Sequence, residues 1–272
     1  MGHRALIGSV VLLVAAAAAG GEIRGTVVVS AADGGVEVTS PQPIVVYLTG
    51  FRQPPLPEAS VVSQKDKTFI PDLKVIVAGQ SVEFTNDDPF VHNVFSTSTA
   101  RPFDLGQPGP HETRTVSFPT PGLVDVFCNI HEQMYANVLV LPNRAFASVG
   151  PDGTFVIRDV PAGRHPLHAW GRQTEPFEME VVVAEGQPSA VQLVLRPRLF
   201  NPAHLDKFGR AYKKRPGYAP GASPSRRATS TRTRSRGTSV ARARRPSGPG
   251  WPSTSTRATA AASWWAPWCA PW

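Results

Sequence analysis

The chain has 272 residues, of which 41% are hydrophobic, and this is enough to bury one or two cores. Its 28 prolines and 23 glycines favour turn-rich β structure over a helical bundle. The net charge of +8 is uneven: residues 201–272 hold 14 Lys and Arg against one acid, Asp206, whereas the first 200 residues hold 14 basic and 19 acidic side chains. The basic charge therefore gives no argument for a nucleic-acid partner, and we predict none.

Residues 1–21 have the pattern of a secretory signal peptide. A short positive start at Arg4 precedes an apolar run over residues 5–19, and the segment closes on two glycines. The run is too short for a transmembrane helix, although an uncleaved membrane anchor is the alternative. No later apolar stretch is long enough to span a bilayer, so we predict a periplasmic protein with no stable membrane span in its mature form.

Alternating and β-branched runs bounded by Gly, Pro and Asp predict strands along most of the following chain. In order they cover residues 23–29, 44–48, 73–77, 82–84, 115–118, 124–127, 136–141, 166–170, 177–183 and 190–195, and the turn at residues 150–155 leads into one more strand. Three prolines at 54, 55 and 57 predict a linker, since proline stiffens the chain, and residues 99–113 predict a long loop. The predicted fold class is all-β.

Three side chains with metal-binding atoms follow the strand predicted at 124–127. Cys128, His131 and Met134 offer a thiolate, an imidazole and a thioether at a spacing of Cys-x2-His-x2-Met, and His92 stands 36 residues before Cys128. Soft sulfur donors combined with imidazole select copper over magnesium, calcium or manganese. Two imidazoles, one cysteine sulfur and a weak methionine sulfur are the ligands of an electron-transfer copper site.

Cysteine usage agrees with such a role. Cys128 is the only cysteine before Cys269, so the body of the chain cannot form an internal disulfide. The leader nevertheless directs it to an oxidising compartment, where cysteines are usually paired. A lone cysteine in an exported protein needs another explanation, and metal ligation supplies one.

Residues 58–142 resemble the cupredoxins, the blue-copper family that includes plastocyanin, pseudoazurin and amicyanin. Besides the four donors, the resemblance rests on the Asn86-Asp87-Asp88 turn before the first histidine and on Pro121-Gly122 before the cysteine strand. It implies a Greek-key β-sandwich that binds one type-1 copper ion, with His92, Cys128, His131 and Met134 as the metal ligands.

The same resemblance implies what the site would do. The protein would be a carrier of single electrons between transient redox partner proteins, and not an enzyme. The ring of His131 would be the exposed route for the electron, and the side chain of Asn93 would bond across to the cysteine loop. The remaining candidates, His111, His165, His168 and His204, have no ligand spacing and are predicted to be surface residues.

The segments on either side resemble the carboxypeptidase regulatory-like (prealbumin-like) β-sandwich. An Asp-Gly-x-Phe turn at residues 152–155 and a Val-Pro-x-Gly turn at 160–163 carry this resemblance, and residues 22–50 resemble its first half. The predicted domains are a signal peptide at 1–21, the first half of the small sandwich at 22–55, the cupredoxin domain at 56–143 and the second half of the small sandwich at 144–196. The alternative is that residues 22–50 add strands to an enlarged cupredoxin sandwich.

The C-terminal part divides in two. Residues 197–220 predict an ordered extension that wraps the body. Residues 221–272 use nine residue types with a single Val and a single Cys, so they cannot form a core and predict a low-complexity disordered tail. The same composition would also result from a shifted reading frame in a GC-rich gene, and we assign the tail no function.

Other functions fit the donors less well. A dinuclear copper site needs a second cysteine in the loop, and a multicopper oxidase needs histidines where Phe127 and Asn129 stand. A Cys-His hydrolase would leave His92 and Met134 without a role. A copper chaperone, a zinc store and a surface-binding role for the flanking sandwich stay open, although zinc rarely binds methionine.

Overall fold

The computed structural model describes residues 20–30, 43–201 and 203–212. These residues contain strands, turns and loops and no helix, which confirms the prediction of an all-β fold. The strands are β1 (Gly21–Val29), β2 (Ile44–Leu48), β3 (Ser60–Lys65), β4 (Thr68–Ile70), β5 (Leu73–Val77), β6 (Ser81–Asn86), β7 (Val94–Ser96), β8 (Phe103–Asp104), β9 (Thr113–Ser117), β10 (Gly122–Cys128), β11 (Tyr135–Leu141), β12 (Phe146–Ser148), β13 (Thr154–Val160), β14 (Gly163–Gly171), β15 (Phe177–Val183) and β16 (Pro188–Leu195).

Strands from both ends of the described chain form one sandwich, which we call the flanking sandwich. One sheet has the order β13-β1-β16 and the other has the order β12-β2-β14-β15. β1 runs parallel to β16 and antiparallel to β13, so the first strand is fixed by two strands that follow it by more than 120 residues. A single apolar core, which includes Ile23, Leu48, Ile157, Leu167 and Leu193, fills the space between the two sheets.

The strands between β2 and β12 form a second sandwich, the central sandwich. Its sheets have the orders β4-β3-β6-β9 and β5-β11-β10-β7-β8. Alternation along β6 and β10 places Val82, Phe84, Val124 and Val126 in a separate core, because successive side chains of a strand point to opposite faces. The central sandwich is therefore inserted in the chain between two strands of the flanking one. The likeness of the flanking sandwich to the regulatory-like family, and the domain boundaries given above, stay predictions.

The two sandwiches share a third apolar cluster. In β2, Val46 and Leu48 pack into the flanking core, whereas Val45 packs with Leu139 and Leu141 of β11. Both strands are thus buried on two faces, which is why their sequences are almost uninterrupted apolar runs. We call residues 128–134, which connect β10 to β11, the ligand loop. β11, which follows this loop, is therefore packed on both of its faces.

Five short strands were not predicted. They are β3, β4, β7, β8 and β12, and four of them have only two or three residues. β8 lies inside the segment predicted as a long loop, and β1 begins at Gly21, two residues before its predicted start. Such short runs carry too little alternation to be recognised, since their pairing is set by neighbouring strands.

The structure bears only in part on the predictions for membrane spans, the signal peptide and the C-terminal tail. Among the described residues, no helix could cross a membrane. The predicted signal peptide, except for Gly20 and Gly21, and the predicted disordered tail lie outside the described residues.

A buried arginine links the two sandwiches at the edge of the shared cluster. Arg172, directly after β14, donates through Nε to Asn137 Oδ1 at 3.0 Å and through Nη1 to Asp72 Oδ2 at 2.8 Å. Its third donor, Nη2, reaches the Asp72 carbonyl at 2.8 Å, and its guanidinium lies over the ring of Tyr135. Asn137 in turn donates to Asp125 Oδ1 at 2.8 Å, so the contact extends to β10 and β11, which flank the ligand loop.

We expect Arg172→Met to lower the free energy of unfolding by about 2 to 3 kcal/mol, because three hydrogen bonds are lost and the buried Asn137 oxygen loses its partner. Chemical denaturation of the two proteins measures this. The matched control is Arg164→Met, whose ion pair with Glu180 is exposed, and it should cost less than about 0.5 kcal/mol. Equal effects of the two substitutions would contradict the linking role.

Candidate metal centre

Antiparallel pairing brings the end of β10 to the start of β7. Cys128 pairs with Val94, and Phe127 pairs with Phe95. Cys128 continues the inward alternation of Val124 and Val126, so its side chain enters the central core and is completely buried. His92 precedes Val94 by two residues and is also completely buried, so the histidine and the cysteine meet at one end of the sandwich.

The loop between β10 and β11 adds the second imidazole. The His131 carbonyl accepts a hydrogen bond from the Met134 N–H at 3.0 Å, and the Met134 carbonyl accepts one from the Cys128 N–H at 3.3 Å. These bonds close a short loop that turns His131 back over the cysteine. The loop is also tied to the first histidine segment, because the Asn129 N–H donates to the Asn93 carbonyl at 2.9 Å.

Three donor atoms converge in this arrangement. Cys128 Sγ lies 3.8 Å from His92 Nδ1 and 3.7 Å from His131 Nδ1, and the two Nδ1 atoms are 3.1 Å apart. Two imidazole nitrogens can face each other at this distance only with a proton or a cation between them. His92 and Cys128 are buried and His131 is half-buried, so the cluster has one solvent-facing side.

The spacing of the donors fits a single ion. A metal bound at about 2.0 to 2.1 Å from imidazole nitrogen and about 2.3 Å from thiolate sulfur can join donors up to about 4 Å apart. All three donor pairs lie within that limit. The donor set of two imidazoles and one thiolate suits copper or zinc and not a hard cation such as magnesium or calcium.

Met134 was the fourth predicted ligand. Its side chain is 1% exposed and belongs to the same buried cluster as Cys128. It therefore lies in the core beside the cysteine, and its assignment as an axial ligand stays a prediction.

Without a metal, the surroundings of Cys128 favour the thiol over the thiolate. Burial raises the pKa of Cys128, while the backbone N–H groups of Asn93, Ile130 and His131 lower it by donating to the sulfur. The net direction is upward in the absence of a metal. A cation beside the sulfur reverses this balance, since a coordinating thiol is deprotonated outright.

The prediction for Asn93 is wrong in its details. Its side-chain amide donates to Asp104 Oδ1 at 2.6 Å and to the Gly106 carbonyl at 2.5 Å, and not to the cysteine loop. The backbone makes the link to the loop instead, through the Asn129 N–H. The side chain of Asn93 thus fixes the end of β8 and the residues directly after it. The main chain joins the segment of His92 to the loop of His131.

Part of the C-terminal extension lies on the ligand loop. We call residues 203–212 the loop-binding segment. The ring of His204 stacks on Phe127 with centroids 4.1 Å apart, the Lys207 N–H donates to Asn129 Oδ1 at 2.9 Å, and the Tyr212 hydroxyl donates to the Cys128 carbonyl at 2.7 Å. Burial, followed by the charge of Cys128, raises the pKa of Tyr212, so the phenol keeps its proton.

Sequence reasoning missed these contacts. His204 was predicted to be a surface residue, and neither Lys207 nor Tyr212 was singled out. The only signal was the alternation of basic and aromatic residues in this segment, which does not identify a target. His165 and His168, also predicted at the surface, are buried in the flanking sandwich, where they bond to the Pro161 carbonyl and to Thr49 Oγ1.

Comparison with known proteins gives matches among solved structures only. No protein-family model matches the chain, and no curated protein matches it in sequence. The structures similar to it include the purple cupredoxin from Nitrosopumilus maritimus, at 19% identity and a TM-score of 0.27, over 30% of this chain and 98% of that one. A reduced tryptophan-to-tyrosine mutant of amicyanin matches at 17% identity and a TM-score of 0.29, over 35% of this chain and 97% of its own.

A larger copper protein is also among the matches. The copper-containing nitrite reductase from Thermus scotoductus SA-01 is 23% identical, with a TM-score of 0.30, over 42% of this chain and 28% of the reductase. This chain therefore matches only about a quarter of the reductase.

We expect Tyr212→Phe to loosen the loop-binding segment, because the substitution removes the hydrogen bond to the Cys128 carbonyl, worth about 1 kcal/mol. Amide hydrogen exchange in residues 203–212 should become several-fold faster. Tyr47→Phe, a hydroxyl deletion in the cluster between the sandwiches, should leave that exchange unchanged. Unaltered exchange in Tyr212→Phe would show that the hydroxyl does not hold the segment.

Proposed function

We propose that the central sandwich is a cupredoxin domain and that the protein carries single electrons through one type-1 copper ion held by His92, Cys128, His131 and Met134. The observation that carries this proposal is the convergence of two Nδ1 atoms and one Sγ atom, from two paired strand ends, at mutual distances of 3.1 to 3.8 Å. Copper supplies the one-electron couple, and the chain supplies the fixed donors.

Burial supports electron transfer over chemistry on a bound substrate. His92 and Cys128 have no solvent exposure, and Met134 has 1%, so these side chains leave no room for a reactant at the ion. An electron, unlike a substrate, can pass through the half-buried ring of His131. We therefore propose a carrier without enzymatic activity, which exchanges electrons with transient partner proteins in the periplasm.

The rigidity of the donor segments supports the same proposal. Cys128 ends β10, and His92 lies two residues before the paired strand β7. The loop carrying His131 is closed by two backbone hydrogen bonds, and a third ties it to the segment of His92. Donors fixed in this way change position little when the charge of the ion changes, so little energy is spent on reorganisation. The alternative, a copper chaperone, would pass the ion to an acceptor whose ligands replace its own donors one by one. Two of the three donors here are buried, where the ligands of an acceptor cannot reach them.

The first test is loading with copper. The full-length protein should bind one copper ion and, as Cu(II), show the intense visible absorption and the narrow copper hyperfine splitting in electron paramagnetic resonance that a copper–thiolate bond produces. Cys128→Ser should lose both signals, because serine cannot supply the sulfur.

Cys269→Ser is the matched control, since it removes the only other cysteine of the chain. It should leave both signals intact. A colourless protein that binds Cu(I) tightly and passes it to an acceptor would contradict the carrier and favour the chaperone.

A second test concerns the axial position. Met134→Leu should retain copper, because the two imidazoles and the thiolate stay in place, but its reduction potential should rise since a sulfur donor to Cu(II) is lost. Spectroelectrochemistry of the two proteins measures the change. An unchanged potential and spectrum would remove Met134 from the ligand set.

A further inference from the structure

A buried carboxylate contacts the first histidine on the side away from the cysteine. Asp88 Oδ2 lies 2.8 Å from His92 Nε2, and the side chains of Asp88 and His92 are only 4% and 0% exposed. The other ring nitrogen, Nδ1, faces Cys128 Sγ and His131 Nδ1. The imidazole of His92 is therefore held between a carboxylate and the donor cluster.

A second element of the fold holds the carboxylate. The N–H groups of Asp66 and Lys67 donate to the two oxygens of Asp88 at 2.8 and 3.0 Å. These two residues form the tight turn between β3 and β4, and both have positive φ, at 53° and 57°. Residues other than glycine adopt this conformation at a cost, and the two N–H groups of the turn are aimed together at Asp88.

The segment that carries Asp88 and His92 is itself fixed. The Asn86 side chain is completely buried, and its amide donates to the carbonyls of Phe90, Pro108 and Gly109 at 2.8 to 3.2 Å. Its oxygen accepts the Asp88 N–H at 3.1 Å. The carboxylate therefore keeps its place relative to the ring without relying on solvent.

Both oxygens of Asp88 accept N–H groups of the turn, Oδ1 from Asp66 and Oδ2 from Lys67. Backbone N–H donors to both oxygens favour the charged form of a carboxyl group. A carboxylate can only accept, so the Nε2 atom of His92 carries the proton of this bond. Nδ1 is then left with a lone pair that faces the donor cluster.

We infer that Asp88 is a positioning residue of the metal centre, which fixes the His92 tautomer for metal binding through Nδ1 and stabilises Cu(II) over Cu(I) by its negative charge. The inference rests on the proposed function. Histidines that bind metals commonly donate their second ring N–H to a carboxylate, which orients the ring and raises its basicity. A buried negative charge next to a ligand favours the more highly charged state of the ion, because the protein interior screens it poorly.

The test is Asp88→Asn, made in a background of Lys67→Gly. Asparagine has nearly the same shape but no charge and only one oxygen. If that oxygen takes the place of Oδ2, it can still accept from the Lys67 N–H and from His92, but the bond from His92 is then made to a neutral acceptor and the Asp66 N–H loses its oxygen. Glycine at position 67 adopts positive φ freely and gives the Asp-Gly pair preferred in such turns, which protects the hairpin when its anchor is weakened. Lys67→Gly alone is the reference. Because both proteins lack the lysine, the difference between them contains no effect of the lysine charge.

The readouts are the reduction potential and the Nε2 proton of His92 in the diamagnetic Cu(I) protein. Relative to Lys67→Gly, we expect Asp88→Asn to shift the Cu(II)/Cu(I) equilibrium against a fixed mediator at least tenfold towards Cu(I), which is about 59 mV for one electron. The slowly exchanging, low-field nuclear magnetic resonance signal of the Nε2 proton should move to higher field and exchange faster, because an amide oxygen is a weaker acceptor than a carboxylate. A protein that only lost stability would show neither change.

Asp87→Asn is the matched control. It removes the same charge from the neighbouring residue, but Asp87 is exposed and bonds to Ser63, so the equilibrium should shift less than twofold. A shift in Asp88→Asn no larger than in Asp87→Asn, or an Nε2 signal with unchanged position and exchange rate, would overturn the inference and leave the proposed function intact. Failure of the unmodified protein to bind copper would overturn both.

Discussion

The candidate metal centre depends on one pair of strands. Because β10 and β7 are antiparallel and Cys128 stands opposite Val94, the cysteine at the end of one strand meets the histidine just before the other. The alternation that buries Val124 and Val126 also buries Cys128, so the sulfur points into the core by the same rule that builds the core. A shift of one residue in this register would turn the thiol to the opposite face of the sheet and separate it from the two imidazole rings.

The rest of the structure restrains this pair of strands from several directions. The flanking sandwich packs on the outer face of β11 through Val45, and Arg172 reaches the polar network between β10 and β11. The loop-binding segment covers Phe127 and bonds to the Cys128 carbonyl. The hairpin of β3 and β4 holds Asp88 against His92. Four separate parts of the chain thus fix the ends of two strands.

The parts of this arrangement that follow local patterns could be predicted from the sequence. Strand runs such as those of β2 and β15 were predicted with their observed bounds, because β-branched alternation and flanking turn residues mark them directly. The residue types and spacing of His92, Cys128 and His131 also singled them out, and the fold brings their donor atoms together. Their role as metal ligands stays a prediction.

The contacts that could not be predicted are those between segments far apart in the chain. Tyr212 bonds to a carbonyl 84 residues before it, and Arg172 bonds to Asp72, 100 residues before it. No periodic pattern and no characteristic spacing in the sequence indicates either contact. Asn93 shows the same limit, since its backbone carbonyl bonds to the cysteine loop, whereas the resemblance implied that its side chain would do so. The role of Asp88 depends on where a turn of two residues directs its N–H groups, which only the folded chain reveals.

The most direct test of the account is X-ray absorption at the copper edge of the copper-loaded full-length protein. We predict one short bond from copper to sulfur, from Cys128, and two bonds to imidazole nitrogen, from His92 and His131. A first coordination sphere made of nitrogen and oxygen alone, without a short sulfur bond, would contradict it.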